Sequence, residues 1–396
     1  MFSQFLSDFL IISGSQVNVG AFQMALKVCD KIVGEGKPCF IVAEIGQNHQ
    51  GDINLAKELI LEAKQCGVDC VKFQRSNLSA KFTRSALERP YTSLNSFGAT
   101  YGEHKSFLEF SAEDFRDLQR FSAENDIIFT ASAMDEVALD ELLAMGVPLV
   151  KIGSGDANNL PLIKKARDSG VPLIISTGMQ RQETIEQIHS LMAERSFGLL
   201  HCVSSYPTRV QDANIQFIEV FQKCFPKAIV GYSGHEIGQE ISLAAVAMGA
   251  KIVERHFTLD KNLKGSDHKC SLEPKEMSQF VENVRKLEHF LGEKRIHDVS
   301  EIISALITLN MIPKVDLNSA FSGEKCRKLL QCEIDCFQKL GKSLVFSRDV
   351  ESGEVLTQNH LAIKVSQPKG LQPEEMDKIL GRRLSKAGKF DTPIQE

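Results

Sequence analysis

The sequence has little of what nucleic-acid-binding and membrane proteins need. Its 396 residues include no tryptophan and only 4 tyrosines, and the net charge is −5 at pH 7. Nucleic-acid-binding proteins usually neutralise phosphates with a basic surface and stack bases on aromatic side chains. No apolar run approaches the ~20 residues with which a helix crosses a membrane. We therefore expect neither a nucleic-acid partner nor a membrane partner.

Signals for export and for cysteine cross-linking are also missing. The first residues, MFSQFLSDFLIISGSQ, are apolar, but no Lys or Arg precedes the run and Asp8 interrupts it. This pattern argues against a secretory signal peptide. The 10 cysteines include no CxxC pair, which excludes a zinc ribbon and gives no sign of a disulfide framework. We expect a cytoplasmic protein with reduced thiols.

Short apolar runs alternate with amphipathic helical segments from residue 40 to about residue 292. The runs are FIVAEIG (40–46), CVKFQ (70–74), IIFTASA (127–133), LVKIGSGD (149–156), LIISTGM (173–179), LLHCVSS (199–205), AIVGYSGH (228–235) and KIVERHFT (251–258). Nearly continuous apolar runs are typical of strands buried on both faces. Repeated strand–helix units in about 250 residues predict an α/β fold of the TIM (β/α)8 type.

The intervals between the runs predict helices with recognisable ends. Asp52 and Gly67 have the positions of a cap and a stop for one helix, and Ser111 and Asp114 have capping-box spacing. Residues 75–126 are too many for a single helix, so we expect an extra loop over the barrel mouth.

The alternation of apolar runs and helical segments ends after residue 292. The chain is also longer than one hydrophobic core usually organises. We predict an N-terminal extension (1–37), a barrel catalytic domain (38–292), a linker with an insertion (293–340) and a small β-rich domain (341–396). Residues 293–340 have apolar positions without an obvious partner, so they form either a linker with an ordered helix or a tolerated insertion. The last domain is too small for a large core, and docking on the barrel or on a partner subunit would stabilise it.

Functional groups of TIM barrels lie at the C-terminal ends of the strands. Those positions hold Glu44, Lys72, Gln74, Lys151, Ser154, Asp156, Ser176, Ser204, Tyr206, Ser233, Glu254 and, in the last loop, Asp267. A single Lys or Ser at a strand end is more often solvated and inert. Two lysines within apolar strands are harder to explain, because an unpaired buried ammonium is unstable. Lysines with hydroxyl donors suggest a phosphorylated, carboxylated substrate.

Two histidines end adjacent predicted strands. One strand histidine is more often a core residue than a metal ligand, but the rings of His235 and His256 can converge. Two imidazoles with oxygen donors nearby suit a divalent ion such as Mn²⁺, which polarises a carbonyl. His49, His201 and His268 are weaker candidates.

Several motifs resemble the sialic acid synthase family. They are FIVAEIGQNHQGD, CVKFQ, KIGSGDANNLP, STGM, GYSGHEIG and ERHFTLDKNLKGSDHKCSLEP, and together they span about residues 38–292. The stretches ALERPYTS and TYGEHKSFLEFS resemble the animal branch, which forms N-acetylneuraminate 9-phosphate. Residues 341–396 resemble the small SAF (antifreeze-like) domain that ends such enzymes.

The resemblance implies a condensation of phosphoenolpyruvate with N-acetylmannosamine 6-phosphate. Phosphoenolpyruvate would be held by Lys72, Gln74, Lys151, Ser154, Ser176, Ser204 and Ser233. Mn²⁺ or Mg²⁺ would be bound by His235 and His256. Contact with the sugar and proton transfer would fall to Glu44, Asp156, Tyr206 and Asp267. The resemblance also implies a homodimer with exchanged SAF domains.

Some positions depart from the family pattern. Ser204 stands where bacterial relatives have Asn, and KVSQPKG (364–370) stands where their SAF domain has Arg-Pro-Gly, so Lys364 or Lys369 could substitute for that arginine. Residues 295–325 have no counterpart. Two alternatives stay open: a related enzyme using unphosphorylated N-acetylmannosamine or another aldose, and a non-catalytic relative that binds sugar or phosphoenolpyruvate.

Overall fold

The computed structural model describes residues 25–192 and 194–395. The described chain begins with an antiparallel hairpin of β1 (Ala25–Val28) and β2 (Lys31–Gly34). A closed parallel barrel follows, in which the strands succeed one another in chain order. Its strands are β3 (Phe40–Gly46), β4 (Cys70–Arg75), β5 (Ile128–Ala133), β6 (Val150–Ile152), β7 (Leu173–Ser176), β8 (Phe197–Cys202), β9 (Ala228–Gly234) and β10 (Ile252–His256). The predicted barrel is confirmed.

The hairpin closes the N-terminal end of the barrel. Leu26, Val28 and Val33 are buried in one cluster with apolar side chains from the beginnings of the barrel strands. This apolar plug fills the end of the barrel that faces away from the predicted functional groups. Part of the N-terminal extension is therefore a structural element of the barrel.

Helices cover the outside of the barrel and follow the strands in the expected alternation. They are α1 (Ile53–Gln65), α2 (Leu78–Lys81), α3 (Arg84–Glu88), α4 (Tyr101–Leu108), α5 (Ala112–Glu124), α6 (Glu136–Ala144), α7 (Leu160–Asp168), α8 (Gln182–Leu191), α9 (Phe217–Cys224), α10 (Glu240–Ala247) and α11 (Pro274–Leu291). The Asp52 side chain caps α1, and Ser111 forms a capping box with Asp114 at the start of α5. Both helix starts agree with the sequence prediction.

The long interval after β4 contains more regular structure than a loop. It holds α2, α3 and α4 before α5 completes the second strand–helix unit. Phe82, Ala86, Tyr101 and Val365 form a separate small core there. This core joins the inserted helices to the C-terminal domain.

Residues 293–340, the connector, are folded against the barrel. They contain α12 (Val299–Thr308), α13 (Leu317–Ala320) and α14 (Ile334–Leu340). Ile302, Leu306 and Leu317 are buried in the main core between strands and helices. The connector therefore adds apolar side chains to the core between the strands and the helices of the barrel.

The C-terminal domain is small and rich in extended backbone. It contains the antiparallel pair β11 (Ser343–Phe346) and β12 (Leu361–Lys364), with α15 (Met376–Ile379) and isolated bridges. It contacts the loops of its own barrel: Val365 N–H donates to Lys81 O at 2.8 Å, and Thr184 donates to Glu374 at 2.9 Å. Within this chain, the barrel therefore provides the contacts that stabilise this small domain.

Candidate active site

A cavity of about 560 Å³ opens at the C-terminal ends of the barrel strands. Its lining includes every residue predicted for the site: Glu44, Lys72, Gln74, Lys151, Ser154, Asp156, Ser176, Ser204, Tyr206, Ser233, His235, His256 and Asp267. The volume is typical of small-molecule sites. The lysines and the histidines thus share one cavity.

Two lysines and two glutamates form the bottom of this cavity, and we call them the floor quartet: Glu44, Lys72, Lys151 and Glu254. Lys72 Nζ lies 2.6 Å from Glu44 Oε2 and 3.5 Å from Glu254 Oε1. Lys151 Nζ lies 3.5 Å from the same Glu254 oxygen. All four side chains are buried. Parallel pairing explains the arrangement, because Glu44 lies beside Lys72 on one side and beside His256 on the other.

The floor quartet corrects the charge argument made from the sequence. Lys72 and Lys151 were expected to be buried cations in need of an anionic ligand, but Glu44 and Glu254 already pair with them. The pairing with Glu254 on β10 was not predicted, because the sequence does not show which strands face each other across a barrel. The quartet is neutral overall, so an incoming anion must share or replace a carboxylate partner.

Burial and pairing shift the pKa values in the floor quartet. Burial raises the pKa of Glu44, and the nearby Lys72 charge offsets only part of that effect. Burial alone would lower the pKa of Lys72, but Glu254 and Glu44 together raise it. Burial lowers the pKa of Lys151 despite the attraction of Glu254. Glu44 is therefore the carboxyl in this group that most readily holds a proton.

Hydroxyl groups stand beside the quartet with unused hydrogen-bonding capacity. The Oγ atoms of Ser176 and Ser204 are buried, and no group among the described residues hydrogen-bonds to them. Ser154 Oγ accepts from Gly178 N–H at 3.0 Å, and Ser233 Oγ donates to Glu254 at 3.2 Å. A Cβ at Gly178 would lie 2.2 Å from Ser204 Oγ, so a larger residue here would displace the hydroxyls of Ser204 and Ser154. Orphaned buried hydroxyls in an open cavity point to a polar ligand.

The rings of His235 and His256 lie close together in the cavity. The ring centroids of His235 and His256 are 5.4 Å apart. Val203 O accepts from His235 Nδ1 at 2.8 Å, which leaves Nε2 of that ring as a donor atom for a ligand. His256 Nδ1 is buried and has no hydrogen-bond partner within the described part of the chain, and burial lowers the His256 pKa to about 3. The ring is thus neutral at pH 7, as a metal ligand must be.

The protein alone does not complete a metal shell. Among residues 25–192 and 194–395, no three His, Cys, Asp or Glu side chains are grouped to hold an ion. Asp267 lines the same cavity, and although burial opposes its ionisation, interaction with His256 and a hydrogen bond from Ser266 lower its pKa. Two imidazoles and a nearby carboxylate fit a Mn²⁺ or Mg²⁺ whose other ligands are oxygens of substrate or water.

In residues 254–256, successive side chains point to opposite faces of the strand. Glu254 and His256 face the cavity, whereas Arg255 points outward and is fully buried. Arg255 Nη2 donates to Glu236 O at 2.6 Å, and Nη1 lies 3.2 Å from the Glu236 carboxylate. The arginine therefore ties the ends of β9 and β10 together and positions the two strand-end histidines.

The three weaker histidine candidates, His49, His201 and His268, have structural contacts outside the cavity lining. His49 Nδ1 accepts from Gly51 N–H at 3.1 Å, and its ring stacks on Phe110 at 4.1 Å. His201 Nε2 hydrogen-bonds Ala213 O at 2.8 Å, and His268 Nδ1 bonds Thr258 Oγ1 at 2.7 Å. These rings hold loops in place.

Sequence reasoning missed the connector's part in the site. Glu333 is fully buried, and its carboxylate accepts from Met179 N–H at 2.8 Å and from Ser204 N–H at 2.9 Å. Arg327 Nη2 pairs with it at 2.8 Å. The connector therefore fixes the loops that carry two predicted ligand-binding serines. No spacing in the sequence signals this.

Asp156 also has a partner that the sequence did not reveal. Lys342 Nζ lies 2.8 Å from Asp156 Oδ1, and both side chains are buried. Lys342 belongs to the C-terminal domain, so this domain reaches the edge of the cavity within one chain. The two lysines considered as substitutes for the missing arginine are engaged elsewhere: Lys364 pairs with Asp391 at 2.7 Å, and Lys369 hydrogen-bonds Gly341 O at 2.5 Å.

Comparisons with known proteins agree with the motifs. The model of the NeuB family matches residues 59–296, and that of the SAF domain matches residues 341–396. N-acetylneuraminate-9-phosphate synthase of Homo sapiens is 45% identical over 376 residues, which cover 94% of this chain and 96% of the human protein. The Drosophila melanogaster enzyme of the same name is 48% identical over 358 residues, or 90% of this chain and 94% of the fly protein.

Solved structures give the same result. The crystal structure of spore coat polysaccharide biosynthesis protein SpsE from Bacillus subtilis superposes with a TM-score of 0.72 at 27% identity, covering 93% of this chain and 97% of that chain. Among the described residues, no helix is both long and apolar enough to cross a membrane. From its motifs, its barrel and these relatives, the chain belongs to the NeuB family of sialic acid synthases and carries a SAF domain.

Proposed function

We propose that the protein condenses phosphoenolpyruvate with N-acetylmannosamine 6-phosphate and releases inorganic phosphate. One observation carries the proposal: the lysines, the serines and the histidine pair line a single cavity at the catalytic end of the barrel. The similarity to the human and fly N-acetylneuraminate-9-phosphate synthases supports the choice of substrates. The product is N-acetylneuraminate 9-phosphate.

In this proposal the floor of the cavity binds phosphoenolpyruvate. Lys72 and Lys151 supply the positive charge, and the unpartnered Ser176 and Ser204 hydroxyls supply hydrogen bonds. Ser154, Ser233 and Gln74 complete the set, since all three line the same cavity. Charge-assisted bonds to a carboxylate and a phosphate are the strongest contacts such groups make. When Glu44 takes up a proton, it loses its negative charge. The negative charge of the bound ligand then takes its place beside Lys72.

The reaction joins carbon 3 of phosphoenolpyruvate to the aldehyde carbon of the open-chain sugar. Water adds at carbon 2, and phosphate leaves by cleavage of the C–O bond, so one water is consumed. Glu44, with its raised pKa, is suited to hold and return a proton. Asp267 and Tyr206 line the mouth and contact the sugar, and orientation of both substrates in one cavity lowers the barrier.

His235 and His256 would hold Mn²⁺ or Mg²⁺ in the same cavity. When bound, the ion supplies Lewis-acid polarisation of the sugar carbonyl. The support for this assignment is the convergence of the two rings and the neutral state that burial gives His256.

We further propose that the protein acts in the cytoplasm as a homodimer. The resemblance to sialic acid synthases suggests an exchange of SAF domains, in which the Lys342–Asp156 contact seen within this chain would be made with the partner's barrel.

A phosphate-release assay tests the reaction. The purified protein is incubated with phosphoenolpyruvate, Mn²⁺ and one of several aldoses. Release with N-acetylmannosamine 6-phosphate alone is the expected result. Release with free N-acetylmannosamine or another aldose instead would reassign the acceptor, and phosphoenolpyruvate binding without any release would favour a non-catalytic relative.

A further inference from the structure

Not all lysines of the cavity have a carboxylate partner. Within the described chain, Lys81, Lys105, Lys269 and Lys339 line the cavity without forming an ion pair, whereas both floor lysines are paired. The first two come from the helices inserted after β4, an interval that a simple barrel does not need. We call Lys81, His104 and Lys105 the rim cluster.

Lys81 is the most unusual member of the rim cluster. Its side chain is buried, with an exposed fraction of 3%. Its Nζ donates to the sulfur of Met134 at 2.8 Å and lies 5.2 Å from the centroid of the Phe82 ring. A buried ammonium without a carboxylate is destabilising. Burial lowers the Lys81 pKa to about 8; the Asp156 charge opposes this shift, and the Lys105 and Lys342 charges add to it.

Lys105 and His104 extend the cluster along the cavity wall. Among the described residues, the side-chain acceptor of Lys105 Nζ is a neutral group, Gln47 Oε1 at 2.8 Å. His104 Nδ1 accepts from Phe97 N–H at 3.2 Å, which places the ring proton of the neutral imidazole on Nε2. The rim cluster thus offers two ammonium groups and one N–H donor to the cavity and holds no anion of its own.

We propose that the rim cluster binds the phosphate group of the acceptor sugar and so selects the phosphorylated acceptor over the free one. The inference rests on the proposed function, because it takes the floor quartet to be the phosphoenolpyruvate site. The sugar carbonyl must meet phosphoenolpyruvate at the floor, and the 6-phosphate lies at the other end of the six-carbon chain. The rim cluster is a second cationic group in the same cavity, separate from the floor. The carbonyl can therefore lie at the floor while the 6-phosphate binds at the rim.

The chemistry of the cluster favours a phosphate over a carboxylate. A phosphate monoester carries close to two negative charges and has three acceptor oxygens. Two lysines and one imidazole N–H match that charge and that number of acceptors. A dianion at this place would also offset the repulsion between Lys81 and Lys105, which Asp156 opposes from the side of the barrel.

The test compares Lys81→Met and Lys105→Met with the wild-type protein under steady-state conditions. Each variant should lower kcat/KM for N-acetylmannosamine 6-phosphate by about 10- to 100-fold, which is the worth of one charged hydrogen bond. The ratio of kcat/KM for phosphorylated to free N-acetylmannosamine should fall by the same factor. KM for phosphoenolpyruvate should stay within about twofold. Lys105→Arg should recover most of the loss, because arginine keeps the charge.

Lys57→Met is the matched control, since it removes a lysine paired with Asp117 on the outer helices. A fall in activity that is equal for both sugars, or that appears as a raised KM for phosphoenolpyruvate, would overturn the inference. A change below about threefold in both rim variants would do the same. Absence of phosphate release in the wild-type protein with every sugar contradicts the proposed function instead, so the two failures are distinguishable.

Discussion

The floor quartet and the rim cluster both place lysines in one cavity, yet they treat the positive charge differently. Lys72 and Lys151 lie on strands and are paired with Glu44 and Glu254. Lys81 lies in an inserted helix and has no carboxylate within ion-pair distance among the described residues. A paired buried charge is held by the fold, whereas an unpaired one reduces stability until a ligand arrives.

The contrast distinguishes charges that stabilise the folded chain from charges that are available to bind a ligand. Removing one member of the floor quartet leaves a buried carboxylate without its cation. Removing Lys81 takes away a charge that the folded chain accommodates poorly. The same type of substitution, Lys→Met, should therefore change stability in opposite directions at the two places.

The largest effect is expected for Lys72→Met. We expect activity to fall at least about 1,000-fold, because a charged contact to phosphoenolpyruvate is lost along with the partner of Glu44. The free energy of unfolding should also fall by about 3–5 kcal/mol, the usual result of breaking a buried pair. Phosphate release and urea denaturation measure the two quantities.

The double variant Lys72→Met/Glu44→Gln separates the two effects. Removing both charges should restore most of the stability and none of the activity. Recovery of activity in the double variant would show that Lys72 acts only through Glu44 and does not bind substrate.

His256→Ala tests the histidine pair. We expect turnover to fall by about 100-fold or more and to lose its dependence on added Mn²⁺, because a ligand of the ion is missing. Thermal unfolding should stay close to that of the wild-type protein. His289→Ala, on the exposed face of α11, is the control. Unchanged turnover in His256→Ala would refute the metal assignment.

Lys81→Met should stabilise the protein by about 2–3 kcal/mol at pH 7, since the Lys81 pKa falls from 10.5 to about 8 on folding. The unfolded chain binds this proton more tightly than the folded one. Wild-type stability therefore rises between pH 8 and pH 10.5 as Lys81 loses its proton in the folded state, and the advantage of the variant shrinks over that window. Urea titrations at pH 7 and pH 10 measure it, and a loss of stability at pH 7 would show that Lys81 is structurally satisfied.

The smallest effect is expected for Lys339→Met. This lysine lines the cavity but is exposed to solvent, so water and salt screen its charge. We expect KM for the sugar phosphate to rise only about two- to threefold, and the rise should vanish in high salt. A loss as large as that of Lys81→Met would extend the rim cluster to the connector.

The sequence predicts the strand-borne part of the molecule well. Apolar runs with polar ends identify both the barrel strands and the floor, because the ends of parallel strands must meet at one edge. Lys72, Lys151, His235 and His256 were found in this way, and the structure brings them into one cavity.

Contacts between distant segments could not be predicted. Glu254 and Lys151 face each other across the barrel, and Lys342 reaches Asp156 from another domain. Glu333 binds strand-end loops from within a connector whose pattern predicted only a helix or an insertion. Such pairings depend on tertiary geometry, which spacing along the chain does not encode. The family motifs and the comparisons identify the family, but the division between floor and rim comes from the structure.

The central claim is that phosphoenolpyruvate binds at the floor quartet and not at the rim cluster. Calorimetric titration of phosphoenolpyruvate tests it most directly. The ligand is titrated into the wild-type protein, into Lys72→Met/Glu44→Gln and into Lys81→Met. The floor variant should lose at least about 100-fold in affinity, whereas the rim variant should bind within about twofold of the wild-type protein. Equal loss in both variants, or loss in the rim variant alone, would contradict the account.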